Sequence, residues 1–323
     1  MPSWNDILAE IQSSKRIDAL DFVRRSYLRK LYDITGRNVI AYYSGWLQKS
    51  GTNNSSILDD DKNGFMTVIH NMDRSKGLDL ILHTPGGDTA ATESIVDYLR
   101  RMFGTDIRVI VPQLAMSAGT MIACASKEII MGKQSSLGPI DPQFNGIPAH
   151  GVIEEFEKAL KEVQTNPERI PIWQVVVSKY HPTFIGECEK AIKWSSDMVN
   201  DWLISGMFQG EADSGAKAKG IVDELNNHID TKTHARHIPI DECRRIGLKI
   251  TSLEDYMKEQ DFQDIVLSIH HSFMHTFAMS SAIKIIENHN DIAYIQHIPM
   301  QFQQPIGIVQ QQNVPQQLLS IED

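Results

Sequence analysis

Three short apolar runs alternate with helical segments between residues 78 and 131, and this alternation constrains the fold more than any other feature of the chain. The runs are LDLILH (Leu78–His83), IRVIV (Ile107–Val111) and EIIM (Glu128–Met131). Each is short and flanked by turn residues, which is typical of a strand buried on both faces. Apolar residues recur at helical spacing between Asp88 and Gly104, and a second helical pattern begins after Ser117. This order, with its short links, predicts βαβ units in a right-handed, largely parallel sheet.

The rest of the chain divides into segments of different character. Residues 3–33 have apolar positions at helical spacing, and NVIAYYSGWL after them is predicted to be a strand. Further helical patterns cover residues 152–163, 186–205, 216–227 and 253–289, and IPIDECRRIGLKI indicates a short helix that enters a strand. The stretch MQFQQPIGIVQQQNVPQQL has no charge and is typical of a flexible tail. We therefore expect four segments: an N-terminal helical segment (1–36), a central α/β domain (37–252), a C-terminal helical segment (253–298) and a Gln/Pro-rich tail (299–323).

Composition excludes several classes of protein. The chain has 41 acidic and 31 basic residues, a net charge of −10, so it lacks the clustered cations of a nucleic-acid-binding protein. The spacings of Cys124, Cys188 and Cys243 fit neither a metal site nor a disulfide framework, which favours the reducing cytoplasm. The N-terminus has no signal-peptide pattern. The apolar segment of residues 109–126 contains Pro, Gln and Gly, so we expect a strand, a turn and a helix there and no membrane span.

Two turns follow buried strands at the edge where open α/β sheets bind their ligands. In HTPGGD, Gly86 and Gly87 accept positive φ and present bare N–H groups, as an oxyanion or phosphate site requires. Such a pair also fits a simple tight turn. In AMSAGT, Ser117 lies at the start of a predicted helix and has small neighbours, so its hydroxyl is accessible. Such a serine is either a nucleophile beside a free backbone N–H or a helix N-cap.

Together the two turns resemble those of the Clp-like serine peptidases of the crotonase superfamily. The runs LILHTPGGDTAATESIVDYLRR and VIVPQLAMSAGTMIACASKEIIMGKQSSLGPIDPQ are similar in particular to the serine dehydrogenase proteinase family, which is related to signal peptide peptidase A and to the Clp proteolytic subunit. The resemblance is strong over residues 78–143 and extends weakly to about residue 250. It implies an α/β fold of the Clp/crotonase kind, a spiral of repeated ββα units with a parallel sheet, to which this chain adds N-terminal and C-terminal helices.

The resemblance also implies an activity and site residues. The chain is expected to be a soluble serine endopeptidase that acts through an acyl-enzyme on Ser117. The Gly86–Gly87 turn forms the oxyanion hole, with the N–H groups of Gly87 and Ala118 as donors. Where the Clp subunit has its histidine base, this chain has Asp141, which orients a base more readily than it accepts the serine proton. We therefore predict a permuted triad of Ser117, His234 and Asp141.

Three other residues are alternative candidates for the base. His237 lies close to His234 in sequence, and His150 lies on the way into a helical segment. Lys158 would make a Ser-Lys dyad like that of signal peptide peptidase A if its amine were desolvated. The same lysine fits the solvated face of the EEFEKALKE helix, and that interpretation is preferred. The pair His271 and His275 has helical metal-ligand spacing but no third ligand, so packing is expected and no metal site is predicted.

Two alternative functions remain: a catalytically silent, peptide-binding oligomeric scaffold, and a crotonase-type enzyme acting on coenzyme A thioesters. The chain has no GxGxxG turn after a strand, no pyridoxal-phosphate lysine motif and no ATP-binding motif, so no cofactor is expected. The expected partner is a peptide or protein substrate, and an adaptor or ATPase is left open. The resemblance implies a homo-oligomer, for which the apolar stretch from Glu254 to His289 is the candidate contact. A core helix has the same pattern, so that alternative stays open.

Overall fold

The computed structural model describes residues 2–144, 146–226 and 235–298 of the chain. Its helices are α1 (Trp4–Ser13), α2 (Ala19–Thr35), α3 (Asp61–Ile69), α4 (Thr89–Phe103), α5 (Ala118–Cys124), α6 (Ala149–Thr165), α7 (Ile170–Val177), α8 (Phe184–Ser205), α9 (Ser214–Asn226), α10 (Ile240–Arg245) and α11 (Phe262–Met279). Its strands are β1 (Asn38–Ser44), β2 (Leu78–His83), β3 (Ile107–Val111), β4 (Leu114–Ala115), β5 (Glu128–Met131), β6 (Ser136–Leu137), β7 (Gln143–Phe144), β8 (Ile147–Pro148), β9 (Ile238–Pro239), β10 (Ile250–Ser252), β11 (Ala282–Asn288) and β12 (Ala293–His297).

A central sheet has the strand order β10-β5-β3-β2-β1-β11-β12. The five strands from β10 to β1 are parallel, with Ala41 beside Ile81 and Ile81 beside Ile110. Strands β11 and β12 then continue the sheet in antiparallel pairing. The predicted strands β2, β3 and β5 have their predicted bounds, so the expected α/β fold with a largely parallel sheet is confirmed.

Helices cover both faces of this sheet. On one face α3, α4, α5, α8 and α9 pack in the larger hydrophobic core, and on the other face α2 and α11 pack in the second core. Every residue of β1, β2 and β3 is buried, which is why these strands are continuous apolar runs and do not alternate. The carboxyl ends of β2 and β3 lie side by side, so the turns that follow them open at the same edge.

The prediction of a continuous helical region over residues 253–289 is wrong at both ends, because the helix begins only at Phe262. Helix α11 ends at Met279, and Ala282–Asn288 is a strand whose residues are all buried. Its sequence, AIKIIEN, carries a lysine and a glutamate at buried positions, so it lacks both the uninterrupted apolar run and the strict alternation that indicate a strand. Both charges have ion-pair partners inside this chain, which makes their burial possible.

The predicted self-association surface in the same region is also wrong. Phe273 and Phe277 of SFMHTFAM and Ile285 of AIKII are fully buried in the second core of this chain. The apolar pattern is therefore an internal contact, which has the same sequence signature as an interface helix. The four-segment division stays a prediction, and the predicted tail lies outside the described residues.

Candidate active site

The two predicted turns meet at the floor of a cleft of about 870 Å³. Ser117 lies between β4 and α5, and Gly86 lies in the turn between β2 and α4. A Cβ atom built on Gly86 would lie 2.7 Å from the Cβ of Ser117 and 3.0 Å from the nitrogen of Ala118, so the turns are in direct contact. The residues that line the cleft include Ser56, Gly87, Ser117, Ala118, Asp141 and Trp194.

Ser117 has a strained backbone, with φ 52° and ψ −117°. A positive φ is costly for a residue with a Cβ, and such residues concentrate at functional sites. Backbone hydrogen bonds on the preceding residues hold this conformation: Met116 N–H donates to the carbonyl of Thr84 at 3.0 Å, and Thr84 N–H donates to that of Leu114 at the same distance. The Ser117 side chain makes no capping hydrogen bond, so the N-cap interpretation does not account for this serine.

The Gly-Gly turn is shaped by its neighbours on both sides. Gly86 has φ +97°, and its N–H donates to the Thr84 hydroxyl at 3.2 Å. Gly87 lies against Ile57 so closely that an added Cβ would be 2.3 Å from the Ile57 nitrogen. The N–H of Gly86 is thus used within the turn, and the predicted donors to an oxyanion remain Gly87 and Ala118. Gly86 contributes the turn geometry and the contact with Ser117.

Two backbone N–H groups at the cleft are left for a ligand. Among the hydrogen bonds of the described residues, none has the N–H of Gly87 or of Ala118 as its donor. Ala118 is the first residue of α5, where the helix itself offers the N–H no acceptor. Both residues line the cleft beside Ser117. Backbone N–H groups without an acceptor are the kind of donor that binds a negative oxygen.

Asp141 is 1% exposed and lines the same cleft. It follows β6, which is joined to the Ser117 helix through Thr120, whose hydroxyl donates to the Gly138 carbonyl at 2.9 Å. A Cβ added to Gly138 would lie 3.2 Å from the Ser117 nitrogen, so the strand that leads to Asp141 runs directly beside the serine. The structure thus brings a buried carboxyl group and Ser117 to one cavity.

The candidate bases are placed very differently. His234 lies outside the described residues. His237 is exposed just before β9, and β9 pairs antiparallel with β6, with Ile238 opposite Leu137. The segment that follows residue 234 in the described part of the chain therefore pairs, through β9, with strand β6, which precedes Asp141. His150 is half-buried in the first turn of α6.

Lys158 does not have the environment of a catalytic amine. It is exposed on α6, and it is not among the residues that line the cleft. A general-base lysine requires desolvation to hold its amine neutral, and an exposed helix face does not provide it. The lysine dyad is therefore not supported by this placement, and the solvated-face interpretation fits it.

Cysteine offers no rival nucleophile near Ser117. Cys124, Cys188 and Cys243 are all buried and free. Burial raises the pKa of the Cys124 and Cys188 thiols, and it raises that of Cys243 to about 12. A thiol whose pKa is raised by burial carries little thiolate at neutral pH, and thiolate is the reactive form.

One wall of the cleft comes from α8, which the sequence does not indicate as part of the site. Glu187, Lys190, Ala191 and Trp194 of α8 face the serine side across the cavity. The helix itself was predicted, but periodicity cannot say which protein surface lies opposite its exposed stripe. Within the described ranges no three His, Cys, Asp or Glu side chains converge as metal ligands, and His275 packs on Trp4 with ring centroids 4.0 Å apart.

No helix in the described parts of the chain has both the length and the apolar character needed to cross a bilayer. The segment of residues 109–126 forms the end of β3, β4 and α5, as the sequence predicts.

Comparison with known proteins gives one family and two relatives. The sequence profile of the ClpP-like SDH-type serine proteinases matches residues 19–256. The uncharacterized protein MJ1495 of Methanocaldococcus jannaschii is 30% identical over 196 residues, which is 61% of this chain and 59% of that protein. MJ0137 of the same organism, also uncharacterized, is 39% identical over 102 residues, 32% of this chain and 35% of that protein. The chain thus spans about three fifths and about one third of these relatives.

Proposed function

The chain belongs to the family of ClpP-like SDH-type serine proteinases, and from this premise we propose that it is an endopeptidase that cleaves peptides or proteins through an acyl-enzyme on Ser117. The family match, over residues 19–256, includes both turns of the cleft. The observation that carries the proposal is the strained Ser117 in contact with Gly86, beside two N–H groups that have no acceptor among the described residues. A serine held in this way serves nucleophilic attack better than helix capping.

The proposed reaction has two halves. Ser117 Oγ attacks the carbonyl carbon of the scissile peptide bond and passes its proton to the base. The carbonyl oxygen becomes negative and accepts hydrogen bonds from Gly87 and Ala118, each worth about 3 kcal/mol of barrier by analogy with other oxyanion holes. The tetrahedral intermediate collapses, the amine takes the proton from the base and leaves, and Ser117 keeps the acyl group as an ester. Water then hydrolyses the ester by the same route.

The proposed base is His234, oriented by Asp141. A carboxyl group is too weak a base to take a serine proton at neutral pH, whereas an imidazole is suited to that step. Asp141 is buried at the cleft, as an orienting carboxylate must be. The pairing of β9 with β6 supports a base from the segment that precedes Ile238. His237 and His150 are the alternatives that mutagenesis separates from His234.

The test is hydrolysis of a peptide library, read by mass spectrometry of the products. Wild type is expected to cleave, and Ser117→Ala is expected to lose the cleavage. Ser56→Ala is the matched control, because Ser56 lines the same cleft but is not assigned any reacting atom. Cleavage that persists in Ser117→Ala contradicts the proposal. Hydrolysis of acyl-coenzyme A in place of peptides favours the crotonase alternative, and peptide binding without cleavage favours the silent scaffold.

A further inference from the structure

The loop of residues 55–58 holds the Gly-Gly turn from the side opposite Ser117. Ile57 N–H donates to the Gly86 carbonyl at 2.8 Å, and Asp88 N–H donates to the Ile57 carbonyl at 2.9 Å. These two bonds bracket Gly87 in a short parallel bridge with Ile57. The orientation of the Gly87 N–H therefore depends on where this loop lies.

A buried lysine binds this loop, which the Ser44 hydroxyl also holds by donating to the Ser55 carbonyl. Lys284 Nζ donates to the carbonyl of Ser56 at 2.7 Å, and to both oxygens of Asp61 at 2.7 and 2.9 Å. Asp61 in turn accepts the N–H of Leu58 at 3.0 Å and the hydroxyl of Tyr42 at 2.8 Å. The ammonium thus binds the residue before Ile57 directly, and it binds the residue after it through Asp61.

The lysine and its aspartate are enclosed in protein. The Lys284 side chain is 1% exposed and that of Asp61 is 0% exposed. Burial lowers the pKa of Lys284, and the nearby Asp61 carboxylate opposes that shift. All three protons of the ammonium have protein oxygens within hydrogen-bond distance, which a buried cation requires. A neutral side chain of similar length would leave the Ser56 carbonyl and Asp61 without this donor.

Lys284 comes from β11, which lies beyond residues 19–256, the part of the chain matched by the family profile. This strand pairs with β1, and its Lys284 binds the 55–58 loop, whose Ser56 lines the cleft. We propose that Lys284 is a positioning residue for the oxyanion turn: through Ser56 and Asp61 it holds Ile57, and through Ile57 it sets the Gly87 N–H. The catalytic part of this inference rests on the proposed function; the structural part does not.

The test variant is Lys284→Met with Asp61→Asn. The second change removes the charge that would otherwise be buried alone, and it keeps an amide oxygen for Leu58 and Tyr42. The matched control is Glu287→Gln, which breaks another buried ion pair of the same strand, that with Arg24, at the opposite face of the sheet. Each protein is measured at a temperature that lies the same number of degrees below its own unfolding midpoint.

Two measurements are made on each protein. The first is the reaction of Ser117 with a fluorophosphonate probe, resolved into reversible affinity and the rate constant of the covalent step. The second is amide hydrogen exchange of Ile57 and Asp88, whose N–H groups make the two bracketing bonds. In the double variant we expect the covalent rate constant to fall by at least about tenfold and the affinity for the probe to stay within about twofold of wild type. We expect hydrogen exchange to be about tenfold faster at both amides. The control is expected to show none of these changes.

The outcomes separate the two proposals. Unchanged exchange in a folded double variant overturns the positioning role. Faster exchange with an unchanged covalent rate constant also overturns it, because the loop would then move without affecting the serine. If wild type itself fails to react with the probe, the proposed function fails, and the exchange measurement still decides whether Lys284 holds the turn.

Discussion

Gly86 and Ser117 approach each other so closely that any side chain on Gly86 would occupy the space of the serine. The added Cβ would lie 2.7 Å from the Ser117 Cβ and 2.8 Å from the Met116 carbonyl oxygen, distances that real Cβ atoms do not adopt. Gly86 also has φ +97°, a conformation that only glycine adopts without strain. The nucleophile turn and the oxyanion turn are therefore one packed unit, and a change in either displaces the other.

Gly86→Ala is expected to lower the rate of peptide cleavage about 100-fold or more, because the serine or the oxyanion turn must shift. Gly51→Ala is the matched control: Gly51 has φ +85°, but an added Cβ meets nothing within 4 Å. That variant is expected to lose about 1 to 2 kcal/mol of unfolding free energy and to keep its activity. Steady-state kinetics and urea unfolding measure the two effects, and equal activity in both variants would contradict this account.

Asp141→Asn is expected to reduce kcat by about 10³-fold or more with little change in KM, because an asparagine neither stabilises a protonated base nor fixes its tautomer. Asp88→Asn is the control. Asp88 also lines the cleft and caps α4 by accepting the Ala91 N–H at 2.8 Å, and asparagine caps a helix equally well. A kcat for Asp141→Asn within a few-fold of wild type, in folded protein, would remove Asp141 from the mechanism.

His234→Gln is expected to abolish most of the activity and to remove the acidic limb of the pH–rate profile, since the base must be unprotonated to act. His237→Gln and His150→Gln are expected to retain the profile. The measurement is kcat/KM between about pH 5 and pH 9. If His237→Gln or His150→Gln loses the acidic limb while His234→Gln keeps it, the base is reassigned accordingly.

Stability is expected to fall at mildly acidic pH because of buried histidines behind the cleft. Burial holds the pKa of His83 well below its usual value, and it lowers that of His270 to about 3. Below about pH 6.5 the unfolded chain therefore takes up protons that the folded chain does not, so the free energy of unfolding decreases as pH falls. From pH 7 to pH 5.5 the two groups together account for a loss of about 2 to 3 kcal/mol.

Urea unfolding at the two pH values measures this loss. His270→Phe is expected to reduce the difference by about 1 kcal/mol, because one of the buried proton-binding groups is gone. His70→Phe, at an exposed position, is expected to leave the difference unchanged. A pH dependence that is the same in wild type and His270→Phe would show that the acid sensitivity has another source.

The sequence predicts the central strands well because they are buried on both faces and ended by turn residues. The bounds of Leu78–His83 and Ile107–Val111 follow directly from their apolar runs. Strand β11 escapes prediction because Lys284 and Glu287 break its apolar pattern, and their partners, Asp61 and Arg24, are more than 200 residues away in the chain. Charges that are paired over such distances are indistinguishable in sequence from a solvated helix face.

The same limit applies to the candidate site. The contact of Gly86 with Ser117 could be expected, because both turns follow neighbouring parallel strands. The position of α8 across the cleft and the two hydrogen bonds of Ile57 around Gly87 could not be expected from the sequence. They depend on how distant segments pack at the sheet edge. Local sequence shows which residues are able to react, whereas tertiary packing decides which groups lie opposite them.

Ser117 is proposed to be an activated nucleophile, and its reaction with a fluorophosphonate probe is the decisive measurement. Intact mass and peptide mapping are applied to wild type, Ser117→Ala and Ser56→Ala. We predict a single adduct on Ser117 in wild type and in Ser56→Ala, and none in Ser117→Ala. No adduct in folded wild type, or an equal adduct in Ser117→Ala, would contradict the account.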